Sequence, residues 1–175
     1  ATTEIYTLSL HDVFRSAPTQ EEVSKLYVAT FNRAPDSAGL AYWTNDSGLK
    51  LSEIAQSFFD QPETQTLYPP ETTNRDFVNS VYQNLFNRSP DSEGWDYWEN
   101  ELNNGTFTKN RFIQAVINGA LDNETSSDAT ILENKNSVGL YFAQAGLDDT
   151  TEARDVMSGV TAEASTVNTA FTSIT

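Results

Sequence analysis

Apolar positions along the chain recur at intervals of three and four. Val23, Leu26, Tyr27, Thr30 and Phe31 fall on one face of a helix, and Thr19-Gln20-Glu21-Glu22 ahead of them has capping-box spacing. Pro35 biases Ala34 away from helical backbone and closes that helix. Asp36 then stands where an N-cap belongs, and a short helix follows with Leu40, Tyr42 and Trp43, ended by Gly48. A third helix runs from about Ser52 to Asp60 with Ile54, Ala55, Phe58 and Phe59 inward, and Pro62 marks its limit. Alternating strand patterns with hairpin turns are missing throughout. The fold class that follows is all-α.

The pattern then returns. Phe31-Asn32-Arg33-Ala34-Pro35-Asp36-Ser37-Ala38-Gly39-Leu40-Ala41-Tyr42-Trp43 reappears 55 residues later as Phe86-Asn87-Arg88-Ser89-Pro90-Asp91-Ser92-Glu93-Gly94-Trp95-Asp96-Tyr97-Trp98, with Tyr27 and Tyr82 keeping the offset. Gly48 answers to Gly105 after a two-residue insertion, and the runs around Ile54 and Phe58 answer to those around Phe112 and Val116. The second unit therefore predicts a helix with Phe77, Val78, Val81, Tyr82, Leu85 and Phe86, an Asp91-capped helix, and a third helix capped by Thr108. The repeats span 19–64 and 73–120, and the link Tyr68-Pro69-Pro70-Glu71-Thr72-Thr73 is too short to separate them. Two tandem three-helix repeats should pack together, within one helical unit over 1–175.

The remainder, 127–175, predicts a C-terminal helical segment. Asp122 to Asp128 is a polar link, Ile131, Leu132, Val138, Tyr141 and Phe142 lie on a longer helix stopped by Gly146, Thr150 or Thr151 opens a short one, and Val167 and Phe171 sit on a last, weaker one.

Charge narrows the partners. The 175 residues hold 25 Asp and Glu against 10 Lys and Arg, a formal net charge of -15, which repels a phosphate backbone and anionic lipid alike. No nucleic-acid partner is expected. No stretch approaches the roughly 20 apolar residues of a transmembrane segment. Cysteine is absent, which removes disulfides, thiolate metal sites and cysteine nucleophiles. The single histidine, His11 beside Asp12, makes a Ser-His-Asp relay improbable. The start at Ala1 shows no basic-then-apolar leader, so either one was removed or export does not use one.

The repeated residues can be read two ways. Asp36 and Asp91 serve as helix caps, or as calcium ligands with Asn45 and Asp46; calcium needs six to eight oxygens, and neither loop has a dense Asp/Asn run, so capping is preferred. Arg33 and Arg88 either grip a carboxylate or phosphate ligand, or hold their own turn through an Asp or Glu of the same unit or the last helix carbonyls. Duplication in one local context favours the scaffold. Gly39 and Gly94 read as close-packing sites. Tyr42-Trp43 and Trp95-Tyr97-Trp98 cannot all face a single core stripe, so one ring of each set should be exposed and available to stack on a sugar. Trp95 has no aromatic counterpart, since Leu40 takes its place, and it is either core filling or a stacking platform. A carbohydrate site would comprise Tyr42, Trp95, Asp96 and Glu99, and the structural motif Arg33, Asp36, Gly39, Trp43, Arg88, Asp91, Gly94 and Trp98. Paired carboxylates such as Glu99 and Glu101, or Asp148 and Asp149, lack the separated geometry of a glycosidase. No P-loop or nucleophile elbow appears, and no catalytic residue is expected.

Leu26-Tyr27 through Tyr42-Trp43, and the same pattern at Arg88, Pro90, Asp91, Gly94, Tyr97 and Trp98, resembles the repeating core of the DUF4214 family over roughly residues 20–120. Asp60-Gln61-Pro62-Glu63 is similar to that family's closing Ser-Pro-Glu, whereas the second unit has Asn118-Gly119-Ala120 there. The resemblance implies an exported bacterial protein of S-layer, adhesin or repeat-in-toxin type, distantly similar to phycobilisome linker domains. It implies a non-enzymatic domain, secreted to the cell surface, that anchors its parent to polysaccharide such as lipopolysaccharide O-antigen. Calcium is a candidate bridging ion. The alternative is a protein-protein module that self-associates in a lattice or filament, and an enzyme using Glu99 or Asp96 as its acid is the least favoured reading.

Overall fold

The computed structural model describes residues 17–174, and the His11–Asp12 pair lies outside them. Every regular element among the described residues is helical. In chain order these are α1 (Gln20–Phe31), α2 (Ser37–Ala41) running on into a π-helical turn (Tyr42–Asp46), α3 (Leu51–Phe58), α4 (Pro62–Leu67), α5 (Asn74–Phe86), α6 (Ser92–Asn103), α7 (Lys109–Leu121), α8 (Ser127–Gln144), α9 (Thr150–Asp155) and α10 (Ala164–Ser173). Helices α1, α5 and α8, the first of each unit and the longest of the C-terminal segment, pack pairwise on one another. Around them α3 lies on α7, α6 on α5, and α10 on α8. The core of this assembly includes Leu26, Phe58, Phe77, Leu85, Phe112, Leu132 and Phe142, all nearly or fully buried.

Local chemistry explains most boundaries. Thr19 and Glu22 form a reciprocal capping box, satisfying two amides that an α-helix start leaves without partners. Helices α1 and α5 each end on an asparagine in left-handed backbone, Asn32 at φ 51° and Asn87 at φ 57°, which turns the chain into its Arg-x-Pro-Asp loop. Gly146, at φ 77°, ends α8 in the same way.

Two boundaries differ from the sequence reading, and two more are as expected but capped differently. The third helix stops at Phe58, and Pro62 does not merely mark a limit: it opens α4, because its missing amide and fixed φ suit a first helical position. Thr64 secures the corner by donating its hydroxyl to the Phe58 carbonyl. The Trp43 helix changes to π-type bonding, Ser47 N donating to Tyr42 O at 2.8 Å, where the buried Thr44 hydroxyl bonds back to Leu40 O at 2.7 Å. Helix α9 opens at Thr150 as read from the sequence, and Asp149 ahead of it caps the helix by accepting from the amides of Thr151 and Glu152. Thr108 occupies the cap position of α7 without a side-chain bond to it.

Where α1 crosses α8, Gly139 permits the approach. A Cβ there would lie 2.9 Å from Ser24 Oγ and 3.1 Å from Pro35 Cδ. One turn earlier, Lys135 is only 2% exposed and donates from Nζ to the Asn84 carbonyl at 2.5 Å, supplying a partner for one of the last carbonyls of α5. Asn84 in turn donates its amide to Ala29 O at the end of α1.

Candidate functional site

In the first unit the arginine loop is a closed ionic knot. Asp36 caps α2, accepting from Gly39 N at 2.9 Å. Its other oxygen receives Arg33 Nη1 at 3.1 Å, while Nε and Nη2 of Arg33 form a two-pronged pair with Glu63, each at 2.9 Å, and Nη1 also donates to Ala34 O. The Arg33 side chain is 6% exposed. Burial alone would weaken its charge, yet the bonds from Glu63 and Asp36 outweigh that and push its pKa upward. Arg154 of α9 closes on Glu63 from outside at 2.5 Å. The backbone is covered too: Ala34 N donates to Ala153 O, Ser37 N to Leu147 O, and Ala38 N to the Asp148 carboxylate. Beside the knot, the rings of Tyr27, Phe31 and Trp43 all meet Phe58 with centroids 4.9 to 5.5 Å away. Burial and nearby Asp36 push the Tyr27 phenol well above its usual range.

The second unit repeats the residues and leaves the knot open. Asp91 caps α6 through Gly94 N at 2.7 Å. Arg88 pairs two-pronged with Asp128, Nε at 2.9 Å and Nη2 at 2.6 Å, and donates Nη1 to Ser89 O. Its side chain is 46% exposed. The partner is a correction to the expected one within its own unit: Asp128 lies in the first turn of α8, so this arginine ties the second repeat to the C-terminal segment. The amides of Ser89, Ser92 and Glu93, which correspond to the covered ones of the first unit, make no such bonds among the described residues. Trp98 Nε1 donates to Tyr82 Oη at 3.2 Å, and burial pushes that phenol's pKa up.

Each knot borders a cleft. The first, about 260 Å³, is lined by Tyr27, Arg33, Trp43, Phe58 and Glu63; the second, about 280 Å³, by Tyr82, Arg88, Trp98, Gly119 and Asp128. The tyrosine, arginine and tryptophan of the two clefts stand at the same repeat positions, whereas the carboxylate and the rest of the wall differ.

The residues anticipated for saccharide binding divide between the units. Trp95, Asp96 and Glu99 come together around Arg75, whose guanidinium lies 4.4 Å from the Trp95 ring centre and reaches Asp96 at 3.3 Å and Glu99 at 2.7 Å. Trp95 Nε1 donates to Arg75 O at 3.0 Å, so one face of this half-buried ring is already taken by a cation. Tyr42 sits in the other unit with Trp43 as its ring neighbour at 4.9 Å. Tyr42 and its counterpart Tyr97 are 49% and 53% exposed. Gly39 is a close-packing position, since a Cβ would come within 2.5 Å of both Tyr27 Oη and Asp36 Oδ2, while at Gly94 the nearest atom is Asp91 Oδ1 at 3.1 Å. Among the described residues, no three His, Cys, Asp or Glu side chains are grouped to hold a metal ion.

Residues 55–124 match the family model of a domain of unknown function, DUF4214. This DUF4214 match runs from within α3 through α7, covering the whole second unit, the closing part of the first and the turn after α7. The Arg33-to-Trp43 motif lies before it. No curated protein and no solved structure matches the chain. Sequence reasoning expected each arginine to pair with an acid of its own unit, which Arg33 does with Asp36 and Glu63, although Glu63 was legible only as part of a closing Pro-Glu; Asp128, the partner of Arg88, carried no signal separating it from other acidic residues. Arg75 also went unnoticed, although it stands one residue after the helix start facing the α6 aromatics.

Proposed function

We propose that the chain is a non-enzymatic, extracellular helical domain of a bacterial surface protein, of S-layer or adhesin type, that attaches its parent to cell-surface polysaccharide such as the O-antigen of lipopolysaccharide. The observation that carries this reading is the pair of half-exposed tyrosines, Tyr42 and Tyr97, each backed edge-on by a tryptophan at the same repeat position. A rigid aromatic backed by another aromatic offers a flat apolar face with a polar tip at small entropic loss, which suits the C-H face of a sugar ring. The DUF4214 match and the acidic, cysteine-free composition support the surface setting. Co-sedimentation with smooth lipopolysaccharide, and with its rough form lacking the O-chain, in calcium and in chelator, tests it. Retention on the smooth form is expected. Equal failure on both, with and without calcium, refutes it.

The alternative, an assembly module for a surface lattice or filament, draws on a different observation. The first unit's loop receives residues 147–153 through three amides, and the second unit's corresponding amides are uncovered. This reading expects concentration-dependent self-association in analytical ultracentrifugation, indifferent to added sugar.

A further inference from the structure

The two clefts are similar in size and unequal in chemistry. Arg33 spends four bonds from three of its nitrogens on Glu63, Asp36 and Ala34 O and is shut from solvent, whereas Arg88 uses three bonds, on Asp128 and Ser89 O, out of the five N–H groups a guanidinium carries. Two N–H groups therefore remain at a half-exposed head. The walls differ in parallel. Phe58 fills the first cleft against Tyr27, Phe31 and Trp43, and Val116 stands in the repeat position of Phe58 in the second. The first unit's chain turns at Asp60-Gln61-Pro62 and folds Glu63 inward; the second runs straight on as α7 through Asn118-Gly119-Ala120. A Cβ built on Gly119 meets no atom within 4 Å, so this stretch leaves open space beside Trp98 and Tyr82.

We propose that the second unit's cleft is a further saccharide subsite, adjoining the exposed Tyr97 through its edge-on partner Trp98, and takes one uncharged sugar ring, a proposal that rests on the polysaccharide-attachment reading above. At about 280 Å³ the cleft falls just short of the roughly 300 Å³ at which ligand pockets begin, a size that suits a single ring. Trp98 and Tyr82 supply the apolar wall, and the bare backbone over Gly119 lets the ring approach. The Asp128 carboxylate accepts from ring hydroxyls while the spare Arg88 N–H groups donate to ring oxygens. Charge selects among sugars. Arg88 is already neutralised by Asp128, and Asp91 adds a further negative charge near it, so a uronate or other acidic ring meets no uncompensated cation here. Trp95 and its Arg75 cover do not line this cleft.

The test titrates the full chain with a panel of uncharged O-polysaccharides freed of lipid, and with polygalacturonate as the charged comparator, following tryptophan fluorescence. Gly119→Leu fills the cleft at an exposed helical position where its side chain has room and glycine is a poor helix former, so the fold is retained. Gly159→Leu, in the turn after α9 and likewise with nothing within 4 Å, is the control away from the cleft. An affinity loss of at least about tenfold in Gly119→Leu alone, with Arg88→Gln reproducing it, is the expected result. Binding to uncharged glycan undiminished in Gly119→Leu overturns the cleft and leaves the attachment reading standing. Stronger binding of polygalacturonate than of any uncharged glycan overturns the ligand class and with it the proposal. Binding of no glycan by the unsubstituted chain refutes both.

Discussion

Lys135→Met isolates what a buried cation contributes to this fold. Burial holds the Lys135 amine down from its ordinary 10.5 to about 8, which corresponds to about 3 kcal/mol against the charged form at neutral pH. Set against that is the bond from Nζ to Asn84 O, a charge-assisted contact with a helix-end carbonyl worth roughly 1.5–3 kcal/mol. The two nearly cancel. Methionine fills a similar volume without either term, so at pH 7 the variant should be neutral to about 1 kcal/mol more stable, a rise in Tm of up to about 3 °C. The diagnostic quantity is the pH dependence. Because the folded pKa lies below the unfolded one, the unfolded chain binds more protons between about 8 and 10.5, and stability from this group is lowest below 8 and recovers as pH rises. Urea unfolding of both proteins from about pH 7 to pH 9.5 should show the unsubstituted chain gaining about 2 kcal/mol on the variant. Tyrosine ionisation is common to both and drops out of the difference. Parallel curves over that range would refute the argument and mean that the amine is not held in a desolvated site.

The motif arginines should respond unequally to the same change. Arg33→Met leaves Glu63 and Asp36 without their shared buried cation and should lower unfolding free energy by about 3 kcal/mol, while Arg88→Met, at a half-exposed pair, should lower it by less than about 1 kcal/mol; equal losses in denaturant titrations would contradict the burial argument. Gly39→Ala should destabilise by roughly 1–3 kcal/mol through contact with Tyr27 Oη and the Asp36 carboxylate, and Gly94→Ala by clearly less, as read from thermal melts. Above about pH 10 the chain should lose stability steeply, because burial raises the phenols of Tyr27 and of Tyr68, the latter to about 12, so the unfolded chain ionises first; a flat profile in circular dichroism from about pH 10 to 12 would argue against both being buried.

The helices were legible because their signals are local. Thr19 to Glu22, Asp36, Asp91 and the Pro35 and Pro90 breaks act within a turn or two of chain, and the inward rings recur at helical spacing. What escaped depends on distance in sequence. Pro62 reads equally well as a stop or a start, and only the corner held by Thr64 decides for a start. Asp128 looks like linker until α8 brings it under Arg88, 40 residues away. Lys135 on a helix reads as solvated surface, yet three helices bury it. At the candidate site, counting rings against the width of one apolar face called for one exposed ring in each set, and Tyr42 is such a ring, but in the second set the sequence put Trp95 forward where the exposed ring is Tyr97. The cation over Trp95 was not legible, since Arg75 belongs to a different helix.

Duplication lets the fold separate holding from presenting. Residues shared by both units, the capping aspartate, the arginine, the glycine and the tryptophan, cannot by themselves distinguish the units; their surroundings do. In the first, α4 and α9 converge with Glu63 and Arg154, and the loop amides are tied to residues 147–153. That closure concentrates stabilising contacts between the first unit and residues 147–154. In the second, a single carboxylate pairs with the arginine and leaves it unspent N–H groups, the loop is open, and Val116 stands where the first unit has Phe58. Such an arrangement forgoes buried contacts, which a small helical domain can tolerate only when another part of it is locked. The site able to receive a ligand is therefore expected in the less closed unit, where preformed aromatic walls and unspent hydrogen-bond donors coincide.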